Sequence, residues 1–166
     1  MMKTVYFRKT REYLGQVKDA AQKVEMLEKR ISLYEDVGMD AGELPSELEF
    51  AMKDLALRKV AVSDMIARIP RVEYQWLLTK RYVELLDWYE IARENNTSRR
   101  RVGSIHGLAL PEMQDVLVDA GVIAPEDADD ISVLLPEEGT LDVGTMEDYL
   151  KYREEKKAGR KNSMCM

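Results

Sequence analysis

An all-α fold is what this sequence predicts, and three observations carry the prediction. Across 166 residues there are only 9 glycines and 5 prolines, and the heavy use of Glu, Lys, Leu, Ala, Met and Arg favours helix. Apolar residues recur at steps of three and four over two long segments. Near the middle, Asp87 and Ser98 each stand where a helix start needs a side-chain acceptor. A chain of this length, with 45% hydrophobic residues, buries one modest core, or a small core beside an extended helical arm.

The first segment, about Arg11 to Val37, sets Leu14, Val17, Ala21, Val24, Leu27, Ile31 and Tyr34 on one stripe of a long helix. Two glycines and a proline between Gly38 and Pro45 end it. Ser46-Glu47-Leu48-Glu49 then reads as a capping box, and Leu48, Met52, Leu55, Val62, Ile66 and Ile69 carry a second stripe up to Pro70. Two narrow stripes joined by a short break predict a long antiparallel helical hairpin over residues 1–70. A homo-oligomer pairing the same stripes between chains, as a coiled coil, is the alternative.

Residues 71–118 predict a compact helix-turn-helix. Pro70 suits the start of a helix running to about Val83 that presents Tyr74, Leu77, Leu78 and Tyr82. Asp87 caps a short helix to about Glu94, Asn95-Asn96 turns the chain, and Ser98 caps the next helix. There Val102, Ile105 and Ala109 turn inward with Trp88 and Ile91, while Arg99, Arg100 and Ser104 face out. Pro111 is expected to interrupt that last helix, since it lacks an amide hydrogen.

Residues 119–166 form an acidic C-terminal extension. They account for the chain's net charge of -6: positions 118–166 hold 12 acidic and 6 basic residues, which leaves 19 of each sign before them. Thr145 to Asp148 caps a last helix towards Lys157. Asp127, Asp129 and Glu138 sit at calcium-loop spacing, but Ile131 and Ser132 occupy a ligand position and the glycine position, so no calcium site is expected. The one cysteine, Cys165, allows no internal disulfide, which fits a reducing cytoplasm. No apolar run approaches the ~20 residues needed to span a bilayer, and Met1 to Arg11 lacks the apolar core of a secretory signal. No paired nucleophile and histidine, phosphate-cradling glycine loop or spaced metal-ligand set is present, so neither an enzyme nor a cofactor is expected.

Three consecutive arginines at the start of the second helix of such a motif point to double-stranded DNA, because that start enters the major groove. Cations there oppose the helix dipole and need a polyanion to meet. The expected roles are Arg99 and Arg100 on bases or phosphates, Arg101 and Arg93 on the DNA backbone, Ser98 as the cap and Ser104 on the exposed face. His106 either touches phosphate from the helix flank or is an ordinary surface or interface histidine. Lys80 and Arg81 are either solvated or part of the same basic patch.

Leu77 to Val83, Asp87 to Ala92, Ser98 to Val102 and His106 to Leu110 together resemble the C-terminal half of a small phage and prophage protein family. Its members join a long helical N-terminal half to a helix-turn-helix similar to region 4 of bacterial sigma factors, a design shared by phage late-gene transcription activators. The resemblance covers about Arg11 to Leu117. It implies that Ser98 caps the recognition helix, that Arg99, Arg100, Arg101, Gly103 and Ser104 occupy its DNA-facing positions, and that host RNA polymerase is a partner. Gly103 and Ser104 stand where sigma factors usually have long polar side chains, Thr97 replaces a usual apolar residue, and no aromatic-rich DNA-melting region is present. The expectation is therefore an activator or accessory factor in phage transcription. Two other readings remain: a small-terminase-like DNA-packaging recognition subunit, and a helical protein-binding adaptor.

Overall fold

The computed structural model describes residues 6–129, which form six α-helices with no strand among them. The all-α fold that the composition and periodicity predict is therefore observed. The expected helix near Thr145 to Lys157, Glu138 of the calcium spacing and Cys165 lie outside the described residues.

The first predicted helix starts earlier and is stepped. It divides into α1 (Arg8–Leu14) and α2 (Gln16–Asp36) at Gly15, where a Cβ would crowd the Arg11 carbonyl at 3.2 Å. The Gln16 side chain donates to the Tyr13 carbonyl at 2.9 Å, satisfying an acceptor at the step. Val17, Ala20, Val24 and Leu27 form the buried stripe of α2, with Ala20 rather than Ala21 fully inside. Gly38, at φ 69°, ends the helix in the left-handed region that glycine adopts without strain.

Helix α3 (Leu44–Ile66) begins before the Ser46 capping box that the sequence suggests. Pro45 sits in its first turn, where a missing amide hydrogen costs nothing, and burial of Leu44 anchors that turn to the hairpin core. Arg58 reaches Gln16 at 3.2 Å, and Tyr13 reaches the Ala61 carbonyl at 3.4 Å. These pairs run in opposite directions along the two segments, so α2 and α3 are antiparallel. Their facing stripes pack against each other within the chain. Met52, expected on the buried stripe, is exposed.

Pro70 precedes α4 (Val72–Leu78), which widens into a π-helical turn over Thr79–Val83 instead of continuing as α-helix. Then come α5 (Trp88–Glu94) and α6 (Arg99–Asp119). Contrary to expectation, Pro111 lies inside an unbroken α6. The amide it lacks would have bonded Gly107, and the surroundings compensate: every residue from Ala109 to Gln114 is buried, so tertiary packing overrides local propensity.

One core joins these pieces. Tyr6, Phe7, Leu14 and Val17 meet Val62, Ile66 and Ile69 from the hairpin base, Tyr74, Leu77 and Leu78 from α4, Ile91 from α5, and Val102, Ile105, Leu110, Met113 and Leu117 from α6. The start of the acidic extension folds back onto it. The Asp129 carboxylate accepts from the Phe7 amide, and the Gln114 side chain bonds the Asp129 backbone amide and carbonyl at 3.0 and 3.1 Å.

Candidate nucleic-acid interface

The site is built on α5, a turn and the first two turns of α6. Asp87 accepts from the Glu90 amide at 2.7 Å while the Glu90 carboxylate accepts from the Asp87 amide at 3.3 Å. This reciprocal box satisfies two backbone donors and fixes where α5 begins. At its other end Asn96 takes φ 49°, a conformation asparagine tolerates better than other residues with a Cβ. The Thr97 amide bonds the Ala92 carbonyl at 3.0 Å. Ser98 then caps α6, accepting from the Arg101 amide at 3.1 Å. Behind the turn, Ile91, Ala92, Val102 and Ile105 are buried, holding the two helices at a fixed angle.

Arg99, Arg100 and Arg101 stand exposed on the first turn of α6, which has no acidic residue. Among the described residues neither Arg99 nor Arg100 has a carboxylate within ion-pair distance. Arg101 lies 3.7 Å from Glu73 of α4 with its side chain 66% exposed, so this contact is screened and weak. Arg93 is exposed on the last turn of α5, with its guanidinium 6.0 Å from the Tyr89 ring centre. Arg93 and Arg99 to Arg101 thus sit on the two helix ends that the turn brings together. The Ser104 hydroxyl donates to the Arg100 carbonyl at 3.0 Å, which turns its proton back into its own helix.

His106 does not belong to this surface. It is buried, with Nε2 2.7 Å from the Tyr82 hydroxyl and its ring packed edge-on against Trp88 at 4.6 Å. Burial, reinforced by the Arg11 and Arg81 guanidinium groups, pushes its pKa down to about 3. A neutral ring enclosed in this way cannot meet a phosphate. The helical period contains the signal that excludes it, since His106 lies four residues after the inward-facing Val102. Burial likewise raises the pKa of Tyr82.

Lys80 and Arg81 are engaged internally as well. Lys80 lies 3.3 Å from Glu84 and 3.5 Å from Glu94. Arg81 stacks over Trp88 at 4.4 Å and donates to the Leu86 carbonyl at 3.1 Å. They tie the π-helical turn to α5, so the exposed cations of the motif are Arg93 and Arg99 to Arg101. Glu73, the partner of Arg101, has no signal in the sequence, because no local pattern links positions 28 residues apart.

Among the described residues no group of three or more His, Cys, Asp or Glu side chains is placed to hold a metal ion, and no helix is long and apolar enough to cross a membrane. Compared with models of known protein families, with characterised proteins and with solved structures, the chain matches none.

Proposed function

We propose that this chain binds duplex DNA as a helix-turn-helix regulator of phage transcription, acting in the cytoplasm of the host beside its RNA polymerase. The observation that carries the reading is the exposed pair Arg99 and Arg100 at the positive pole of α6. A polyanion relieves the repulsion between those guanidinium groups and the helix dipole. Geometry supports the same reading. The major groove, about 12 Å wide, admits an α-helix, and the start of α6 exposes Arg99, Arg100 and Arg101 while Val102, Ile105 and His106 turn into the core. In this arrangement Arg99 and Arg100 reach base edges or phosphates, Arg93 holds the DNA backbone, and Arg101 exchanges Glu73 for a phosphate. The polymerase contact rests on the sigma-like residues alone.

The test is an anisotropy titration of labelled duplex at several salt concentrations. Each phosphate contact removed by Arg99→Ala, Arg100→Ala or Arg93→Ala flattens the salt slope by about one, whereas loss of a base contact costs about 1–3 kcal/mol and relaxes specificity. Absence of any salt-dependent binding overturns the proposal in favour of a protein-binding adaptor. A closed ring in electron microscopy points instead to a packaging subunit.

A further inference from the structure

Helices α2 and α3 bury one face against each other, yet α3 carries a second apolar stripe on its outer side. Phe50, Lys53, Leu57, Val60, Asp64 and, in the turn that continues the helix, Ala67 follow alternating steps of three and four. That is the spacing of a coiled-coil seam. All six are exposed, Phe50 to 73% and Leu57 to 70%. Glu49, Ala56, Ala61 and Arg68 flank the seam and are exposed too. Tyr13 borders this face, bonding the Ala61 carbonyl, but leaves Ala61 and Asp64 open. A helix apolar on two sides calls for a second partner.

The charges on this face indicate which partner. About a point midway between Leu57 and Val60, positions 49, 50, 53, 56 and 57 mirror 68, 67, 64, 61 and 60. Two copies of α3 laid antiparallel about that point set Leu57 against Val60, Ala56 against Ala61 and Phe50 against Ala67. Lys53, the one cation of the seam, meets Asp64, its one anion, and Glu49 meets Arg68. In a parallel pair Lys53 would face Lys53 and Asp64 would face Asp64, which is repulsive. Polar seam residues of this kind fix orientation and register.

We propose that the outer face of α3 pairs with the same face of a second copy of this chain, in an antiparallel two-fold dimer. The face is self-complementary in charge and size. In the single chain, Lys53 contacts Glu49 at 3.7 Å with both side chains largely exposed, a weak pair that gives way to the intermolecular one. On the outer side of α2, pairing Met26 with Leu33 of a second copy would instead set Lys29 against Arg30, so that face is less self-complementary. The dimer is independent of the DNA-binding reading.

Light scattering coupled to size exclusion, on the full chain across a micromolar dilution series, tests this pairing. The wild type should run at twice the chain mass. Lys53→Asp and Asp64→Lys should each weaken the dimer about tenfold or more, and the two together should restore it. Leu57→Glu should give monomer with unchanged helical circular dichroism, because the side chain is exposed before pairing. A wild type of single-chain mass throughout overturns the proposal. So does a dimer that survives Leu57→Glu, or one lost through Leu33→Glu instead, which would place the contact on α2.

Discussion

The base of the molecule and its hairpin arm are made of the same secondary structure but spend their apolar side chains differently. At the base, α6 is enclosed by α1, α4 and α5, and its middle turns are buried whichever way the side chains point. Along the outer arm only Val24, Leu27, Leu44 and Ala51 are buried between α2 and α3, while Met26, Leu33, Phe50, Leu57 and Val60 face outward. Completed burial fixes the helix ends of the base and the angle at which their arginines project. The arm leaves burial incomplete.

Core truncation tests this contrast with the largest effect. Leu110→Ala in α6 should cost about 2–5 kcal/mol, and Leu27→Ala in the arm should fall near the lower end of that range, because its surroundings collapse more easily. Urea unfolding of both variants, with unchanged m values, supplies the comparison. Equal losses would show that the arm is packed as tightly as the base.

The two regions were also unequally legible in the sequence. Local chemistry announced the caps at Asp87 and Ser98 and the turn at Asn96, because each solves a backbone problem within four residues. The hairpin was visible because its stripes outlast any single misplacement. What failed was decided at a distance. The course of α6 through Pro111 depends on packing from other helices, and the start of α3 at Leu44 depends on burial against α2. The Tyr82–His106 contact depends on a π-helical turn that no propensity foretells. In the candidate site, the arginines were identifiable from charge placed against the helix dipole, while the internal engagement of Lys80, Arg81 and His106 emerged only with the tertiary contacts.

Acid weakens the fold through His106, which lies in the base. Above about pH 6.5 the ring is neutral in both folded and unfolded chains and contributes no pH dependence. Below that value the unfolded chain binds a proton that the folded one refuses until about pH 3, so stability falls by about 1.4 kcal/mol per pH unit in that window. Denaturant midpoints measured at stepwise lower pH should show this slope, and His106→Gln should remove it. Parallel acid losses in both proteins would mean that the ring is not the source.

The smallest effects separate a polar contact that closes backbone valences from one that only joins two charges. Asp87→Ala in the base leaves the Glu90 amide without its side-chain acceptor and breaks the reciprocal bond to the Asp87 amide, so a loss of about 1 kcal/mol is expected. In the arm, Glu25 and Lys29 lie 3.0 Å apart with both side chains mostly in solvent. Water and salt screen that pair, and ordering two long side chains offsets what attraction remains. Lys29→Ala should therefore leave the thermal midpoint within experimental scatter while Asp87→Ala lowers it. If Lys29→Ala were the more damaging of the two, solvent would not be what surrounds the arm, and the exposed face of α2 would join that of α3 as a surface covered in solution.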